Sequence, residues 1–274
     1  MAIGYKLRNY EGLRFFFDPA KGGYEVDGLD REGIGEELVI PGIVDEEPVI
    51  SIGTAAFAGD GRIKSVTVPA SVLFIGERAF QRTKVESIKF EEASWLENIM
   101  DNAFSYTSQL LNIEIPANVV SIRFNAFLHS SLESITFESG SKLSLIDGAF
   151  AGTRNIKSID LPPGVVSIGS GAFWNSNITG MVIPETVRYI KKEAFGTAIN
   201  IASLSIPTSV KSVGASAFHG WTSLQTIYVP FHSIDEADTV WIDGSDKKGE
   251  WREGSRALIM SSLVNGQLWP NGES

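Results

Sequence analysis

The side chains best suited to acid–base chemistry or metal binding are three histidines, His129, His219 and His232. His129 and His219 follow equivalent phenylalanines of an internal repeat, which would separate them by roughly 19 Å at one strand spacing per repeat. That distance is too long for a shared metal ion, so both are predicted to be surface residues. His232 precedes Asp235 and Glu236. This grouping predicts either a weak acid–base cluster or a solvated C-terminal segment.

Two adjacent glutamate pairs, Glu46–Glu47 and Glu91–Glu92, could suggest a carboxylate dyad. Neighbouring residues on a strand point to opposite faces, so we interpret both pairs as solvated turn residues. The chain has no cysteine, which excludes disulfide and thiolate chemistry. It also lacks hydrolase, zinc-protease, phosphate-loop and calcium-loop motifs. We therefore expect no catalytic residue, no metal and no cofactor. A carbohydrate-active enzyme is an alternative that no convergent acid–base pair supports.

The charge of the chain narrows the classes of partner. The net charge is −10, and residues 51–230 carry 14 basic and 14 acidic side chains, so the excess of acid lies at the two ends. A protein without a basic surface is not expected to bind nucleic acid or anionic membrane. No apolar run is long enough for a membrane helix, and residues 1–20 lack the continuous apolar region of a signal peptide.

The elements that would position any site come from a repeat. The pair Ala-Phe recurs 22 to 24 residues apart, and a period of this size indicates a solenoid. An aliphatic residue precedes each phenylalanine by four or five positions, and another follows it by five or six. Ile168 and Phe173 are therefore predicted as core residues on a tight return segment, with Ala172 small because the next coil packs against it. The phenylalanines are Phe57, Phe80, Phe104, Phe127, Phe150, Phe173, Phe195 and Phe218.

Short alternating runs, such as SVTVP (65–69) and NIEIP (112–116), follow each phenylalanine. Alternation over four or five residues predicts a strand with one buried face, which the proline ends. Stacked repeats would place these strands side by side in a parallel sheet.

These residues carry a resemblance. The pattern resembles the leucine-rich repeats of the BspA-like family, whose units of about 23 residues have an I-G-x-x-A-F core. The resemblance covers residues 36–230 and implies a right-handed, α/β-type repeat solenoid, predominantly β and coil, with a concave parallel sheet. It also implies a bacterial role in cell-surface adhesion or host interaction.

The family usually has cysteine or asparagine three residues after the phenylalanine, where this chain mostly has hydroxyl residues. We expect their side-chain oxygens to satisfy buried backbone N–H groups. The last two repeats depart from this pattern. The column is Asp60, Thr83, Thr107, Ser130, Thr153, Ser176, Ala198 and Trp221.

Residues outside the repeat are expected to cap it, because each repeat needs neighbours to bury its faces. The predicted domains are a β-hairpin cap over 1–35, the solenoid over 36–230 and a C-terminal cap over 231–274. The segments 240–243 and 255–263 suggest a strand and a short helix in the second cap. The acidic ends fit solvated caps, or alternatively could steer a basic partner.

The candidate binding surface is the exposed face of the predicted strands, since repeat proteins commonly bind through such a surface. The alternative is that small and hydroxyl residues simply suit a solvated sheet face. The candidate residues are Ser65, Thr67, Ser87, Lys89, Asn112, Glu114, Ser134, Thr136, Ser158, Asp160, Ser203, Ser205 and Tyr228.

A second hypothesis is a structural homo-oligomer assembled through apolar residues on the return segments. These residues are Leu73, Phe74, Trp174 and Tyr189. Exposed together they would form an apolar patch; the alternative is that they pack against neighbouring coils. The favoured hypothesis is noncatalytic binding of a protein or peptide through the predicted concave sheet or its rims.

Overall fold

The computed structural model describes residues 7–30, 35–221, 225–229 and 258–261, and all regular elements in these ranges are β-strands. The α/β description is therefore not confirmed. The helix predicted over 255–263 is wrong where the chain is described, because Leu258–Ser261 is a strand. The strands are β1 (Leu7–Tyr10), β2 (Leu13–Asp18), β3 (Gly23–Leu29), β4 (Glu37–Val39), β5 (Ile43–Val44), β6 (Glu47–Ile52), β7 (Ser65–Val68), β8 (Phe74–Ile75), β9 (Ser87–Phe90), β10 (Asn98–Ile99), β11 (Asn112–Ile115), β12 (Ser121–Ile122), β13 (Ser134–Phe137), β14 (Leu145–Ile146), β15 (Ser158–Asp160), β16 (Ser167–Ile168), β17 (Gly180–Val182), β18 (Tyr189–Ile190), β19 (Ser203–Ser205), β20 (Ser212–Val213), β21 (Thr226–Val229) and β22 (Leu258–Ser261).

The repeat folds into a β-solenoid of stacked coils, which we number 1 to 8 by their phenylalanines from Phe57 to Phe218. One side is the return sheet, in which β6, β8, β10, β12, β14, β16, β18 and β20 pair in parallel without a break. Most of its strands have two residues: the second, an aliphatic residue such as Ile168, is buried, whereas the first ranges from exposed in Tyr189 to buried in Ser167. The sequence predicted only a connecting segment here.

At its first strand the return sheet continues into antiparallel strands. β1, β2 and β3 form a meander, and β3 pairs in parallel with β6. Leu13, Phe15, Tyr24 and Val26 are buried in the same core as the coils.

The opposite side holds the front strands, which are the alternating runs predicted from the sequence. They are parallel, but they form separate short sheets rather than one. The sheets are β4-β7-β9, β11-β13, β15-β17 and β19-β21-β22.

The core between the two sides is a column of stacked phenylalanines. Successive rings from Phe57 to Phe218 have centroids 5.2 to 5.7 Å apart and interplanar angles of 2 to 20°. The N–H of Phe150 donates to the carbonyl of Ala172 in the next coil, and Ala172 is fully buried. The predicted core roles of Ile168 and Phe173 are confirmed, since both side chains are completely buried.

The turn that carries each phenylalanine has a left-handed residue two positions before it and another two positions after it. In coil 6 these are Gly171 (φ 65°) and Asn175 (φ 53°). Gly169 does not adopt positive φ; an added Cβ there would lie 2.7 Å from the carbonyl oxygen of Ile146 in the previous coil. Close approach of the backbones therefore explains this glycine.

Candidate functional site

The front strands place the two predicted outward columns on one face. Asn112 is in register with Ser134, and Glu114 with Thr136. Inward residues between them, such as Ile113 and Ile135, are buried, so strand alternation directs the polar residues to solvent. Ser87, Lys89, Asn112, Glu114, Ser134, Thr136, Ser158, Asp160, Ser203 and Ser205 are exposed, whereas Ser65 and Thr67 are half-buried.

Charged groups on this front face are free to meet a ligand. Lys89, Glu114 and Asp160 form no ion pair with any residue in the described ranges. Ser134 donates a hydrogen bond of 2.7 Å to the Asn112 side chain, which fixes two neighbouring polar groups. The face can therefore offer both a cation and carboxylates beside hydroxyl groups.

An apolar position interrupts the polar face. Val182 is 76% exposed and is in register with Asp160 on one neighbouring strand. Tyr228 is in register with Ser205, although its side chain lies outside the described part of the structure.

The hydroxyl column has a different role from the one predicted. Thr107 Oγ1 donates to the carbonyl of Phe104 at 2.9 Å, and Thr83 and Thr153 do the same within their own coils. These side chains therefore satisfy buried carbonyl oxygens rather than N–H groups. Asp60 alone behaves as predicted among the described hydrogen bonds of this column, since it accepts from the backbone N–H groups of Arg62 and Ile63.

Asp60 is also the site of a charge interaction at the first coil. Burial alone would raise the pKa of Asp60, but hydrogen bonds from the Arg62 side chain and from two backbone N–H groups outweigh it and lower that pKa. Similarly, a hydrogen bond to Glu36 raises the pKa of Lys64. Both interactions are ion pairs at the surface, with shortest distances of 2.7 and 2.6 Å.

Two glutamates have structural roles that the sequence analysis missed. The carboxylate of Glu91 accepts from the N–H of Ala70 at 3.1 Å, and Glu138 accepts from Ala117 at 2.9 Å. Glu91 is exposed, as the sequence predicted, and this hydrogen bond to the neighbouring turn is an additional role. The available signal was that Phe90-Glu91 and Phe137-Glu138 end their front strands, where most other front strands end in an aliphatic residue and proline.

The predicted self-association residues do not form one patch. Phe74 and Tyr189 occupy the same outward column of the return sheet, but five coil steps separate them, roughly 24 Å. Leu73 and Phe74 are half-buried. Trp174 lies on the phenylalanine turn, where its Cδ1 atom would be 3.0 Å from a Cβ added at Gly196. Its ring thus packs over that glycine while 39% of the residue stays exposed.

Within the described ranges, no three His, Asp or Glu side chains are grouped so that they could hold a metal ion. The proposed His232 cluster lies outside those ranges. His129 is held at the surface, with Nδ1 3.3 Å from the carbonyl oxygen of Gly152. No helix among the described residues has the length and apolar character needed to cross a membrane.

Comparison with known proteins identifies the repeat. The BspA type leucine rich repeat region matches residues 39–147 and 141–239 in six copies. The pneumococcal vaccine antigen PcpA is similar in structure, with a TM-score of 0.56 and 18% identity over 82% of this chain and 81% of that chain. A leucine-rich repeat protein of Bacteroides ovatus gives a TM-score of 0.55 at 22% identity, over 93% of this chain and 67% of the other.

The T. pallidum leucine rich repeat protein has a TM-score of 0.52 and 25% identity, over 78% of this chain and 89% of its own. No curated protein matches the chain. The family match spans most of the chain and covers the coils described above. The chain therefore belongs to the BspA-type leucine-rich-repeat family.

Proposed function

We propose that the solenoid is a noncatalytic module that binds a protein or peptide through the front face or its rims. The observation that carries this proposal is the row of exposed polar positions on successive front strands. It includes the charges of Lys89, Glu114 and Asp160, which have no ion-pair partner among the described residues. Solenoids present extended surfaces that suit long partners. A role in bacterial surface adhesion or host interaction fits the family and the shared fold with a pneumococcal antigen.

The same proposal includes the handedness of the coils, the curvature of the front face and the two terminal caps. The coils are right-handed with the front face concave, and residues 1–35 and 231–274 cap the solenoid of 36–230. Support at the N-terminal end comes from Phe15 and Tyr24, which the meander buries against the coils. Support at the other end is the pairing of β22 with β21.

A displayed peptide library tests the binding proposal. Immobilised protein should enrich a family of related peptides, and the triple variant Glu114→Ala, Asp160→Ala, Tyr228→Ala should lose that enrichment while its circular dichroism spectrum is unchanged. The matched control is Glu185→Ala with Lys211→Ala, two exposed charges on other parts of the coils. Retained enrichment by the triple variant would move the site away from the front face.

The second candidate is a homo-oligomer assembled through the return sheet. Val120, Val166 and Tyr189 are exposed on this sheet or beside it, which favours an apolar contact there. Light scattering across a concentration series should then show a mass above 29.8 kDa. Changing Phe74 and Tyr189 to Ser should return the mass to that of the monomer, and an unchanged mass would sink this candidate.

A further inference from the structure

A strained column of side chains lies along the turn that follows each phenylalanine. Two positions after the phenylalanine, every coil has a left-handed residue, and coils 1, 5 and 8 use glycine there. Coils 2, 3 and 4 instead have Arg82 (φ 57°), Tyr106 (φ 59°) and His129 (φ 51°). Large side chains are uncommon in this conformation because Cβ approaches the backbone. Coils 6 and 7 have Asn175 and Thr197 in the same conformation, so five coils lack glycine at this position, and coils 2 to 4 place three large side chains there in succession.

The three side chains form an ordered stack. The guanidinium carbon of Arg82 is 5.4 Å from the centroid of the Tyr106 ring, and the Tyr106 and His129 ring centroids are 5.3 Å apart. The His129 ring lies over Gly152, where an added Cβ would collide with it. Tyr106 is nevertheless 41% exposed, and Arg82 and His129 are exposed as well. Since both neighbours cover the Tyr106 ring, the stack offers solvent its edges and polar tips.

The corner segments that carry this stack contain no carboxylate of their own; carboxylates flank them in sequence at Asp60, in the corner of coil 1, and at Glu86 and Glu133, just after the corners of coils 2 and 4. We define the post-Phe corner as the residues between each ladder phenylalanine and the next core aliphatic residue, and in coils 2 to 8 it has no Asp or Glu. It does contain Arg82, Lys84 and Arg154, none of which forms an ion pair with a residue in the described ranges. In a chain with net charge −10, this corner is thus a local cationic strip.

The corner also adjoins the front face, because each corner leads directly into a front strand. From Arg82 to Arg154 is three coil steps, about 14 Å, which an extended peptide spans in four residues. Arginine forms bidentate hydrogen bonds to carboxylates, and a tyrosine hydroxyl can donate a third.

We propose that the post-Phe corner of coils 2 to 5 binds an extended acidic peptide segment of a partner, centred on Arg82, Tyr106 and His129. This inference rests on the proposed binding function and assigns it one rim and one class of ligand.

Fluorescence anisotropy at low ionic strength with a labelled hexaglutamate peptide tests the proposal. Wild-type protein should bind this probe more tightly than hexaglutamine. The triple variant Arg82→Gly, Tyr106→Gly, Arg154→Gly should weaken hexaglutamate binding by about tenfold or more, since charge-assisted hydrogen bonds are lost. The control Lys211→Ala, which removes a cation elsewhere on the coils, should leave binding unchanged.

A second set of variants distinguishes a role of the stack in ligand binding from a role in stabilising the fold. Arg82→Gly, Tyr106→Gly and His129→Gly place glycine in left-handed positions, so thermal stability should be unchanged or increased. A clear loss of stability would mean that the stack supports the fold, and would overturn the inference. Lys84→Glu with Arg154→Glu leaves the stack intact and should still weaken hexaglutamate binding.

Other results would overturn the ligand assignment or the proposed function. Equal binding of hexaglutamate and hexaglutamine, or tighter binding of polygalacturonate than of hexaglutamate, would overturn the acidic-peptide assignment. Peptide-library enrichment that fails only in the front-face triple variant would overturn this inference while the proposed function stands. If the wild-type protein enriched no peptide family at all, that result would instead contradict the proposed function.

Discussion

The two sides of the solenoid use the same kind of strand and yet pair differently. The return strands from β6 to β20 pair without interruption, although most have two residues. The front strands are longer, with three or four residues, and they break into separate sheets. Strand length therefore does not explain which side is continuous.

The length of the post-Phe corner explains the difference. The core aliphatic residue follows the phenylalanine by five positions in coils 2, 4 and 6, and by six in coils 1, 3, 5 and 7. The front sheet breaks between β9 and β11, between β13 and β15, and between β17 and β19, which are the three steps from a short corner to a long one. On the return side, each strand ends five residues before the phenylalanine. The one exception is coil 5, where Ile146 lies four residues before Phe150.

A second difference concerns the length of each front pairing. Where a coil has glutamate after the strand, its N–H extends the ladder: Glu91 donates to Val68 and Glu138 donates to Ile115. These pairs have four residues in register, whereas pairs whose later strand precedes proline have three. Proline lacks the N–H that the fourth position requires.

The largest expected effect comes from disrupting the phenylalanine column, which both sides of the solenoid share. Phe127→Ala should lower the free energy of unfolding by about 3–5 kcal/mol, because it removes a fully buried ring from the stack. Urea denaturation measures the change. Phe124→Ala is the matched control, since that ring is 47% exposed and should cost much less. Equal losses would show that the stack is not the principal core.

The sequence was sufficient for the features that depend on period and alternation. It predicted the recurring core phenylalanines, the buried aliphatic residues and the positions of most front strands. It did not predict the return sheet, because two-residue strands carry too short an alternation to recognise. The acceptor for Thr107 could not be predicted either, since a hydroxyl can donate or accept and only the local geometry decides. The stack of Arg82 on Tyr106 depends on backbone φ, which composition does not show.

The second prediction sharpens the comparison by making the corners equal. Deleting Ser108 shortens the corner of coil 3 to the length found in coil 2, which should join β9 to β11. Ser108 is exposed, so the deletion removes no core side chain. Each new hydrogen bond of about 1 kcal/mol should slow amide exchange in β11 roughly fivefold.

Hydrogen exchange followed by mass spectrometry measures that change, with peptides from the return strand β12 as internal reference. The return strand should keep its wild-type rate. Unchanged exchange in β11 together with intact stability would contradict the role assigned to corner length.

The third prediction compares two hydroxyls within adjacent corners. Thr107→Val should cost about 1 kcal/mol, because the Phe104 carbonyl loses a buried donor. Ser130→Ala should be close to neutral, since the Ser130 hydroxyl is buried without a hydrogen-bond partner in the described part of the chain. Thermal denaturation of both variants checks the pair, and an equal loss in both would refute the distinction.

The smallest expected effect is electrostatic and concerns Asp60, in the corner of coil 1. Hydrogen bonds lower the folded-state pKa of Asp60, so its carboxylate stabilises the fold above the unfolded-state pKa of about 4 and loses this contribution as the pH falls below it. Asp60→Asn should therefore be less stable than the wild type at pH 7, by a small amount because Arg62 is largely exposed. Urea titrations between pH 7 and pH 3 should show the gap close as Asp60 becomes protonated. A gap that persists at pH 3 would mean that the carboxylate's geometry, rather than its charge, ties the first corner to its front strand.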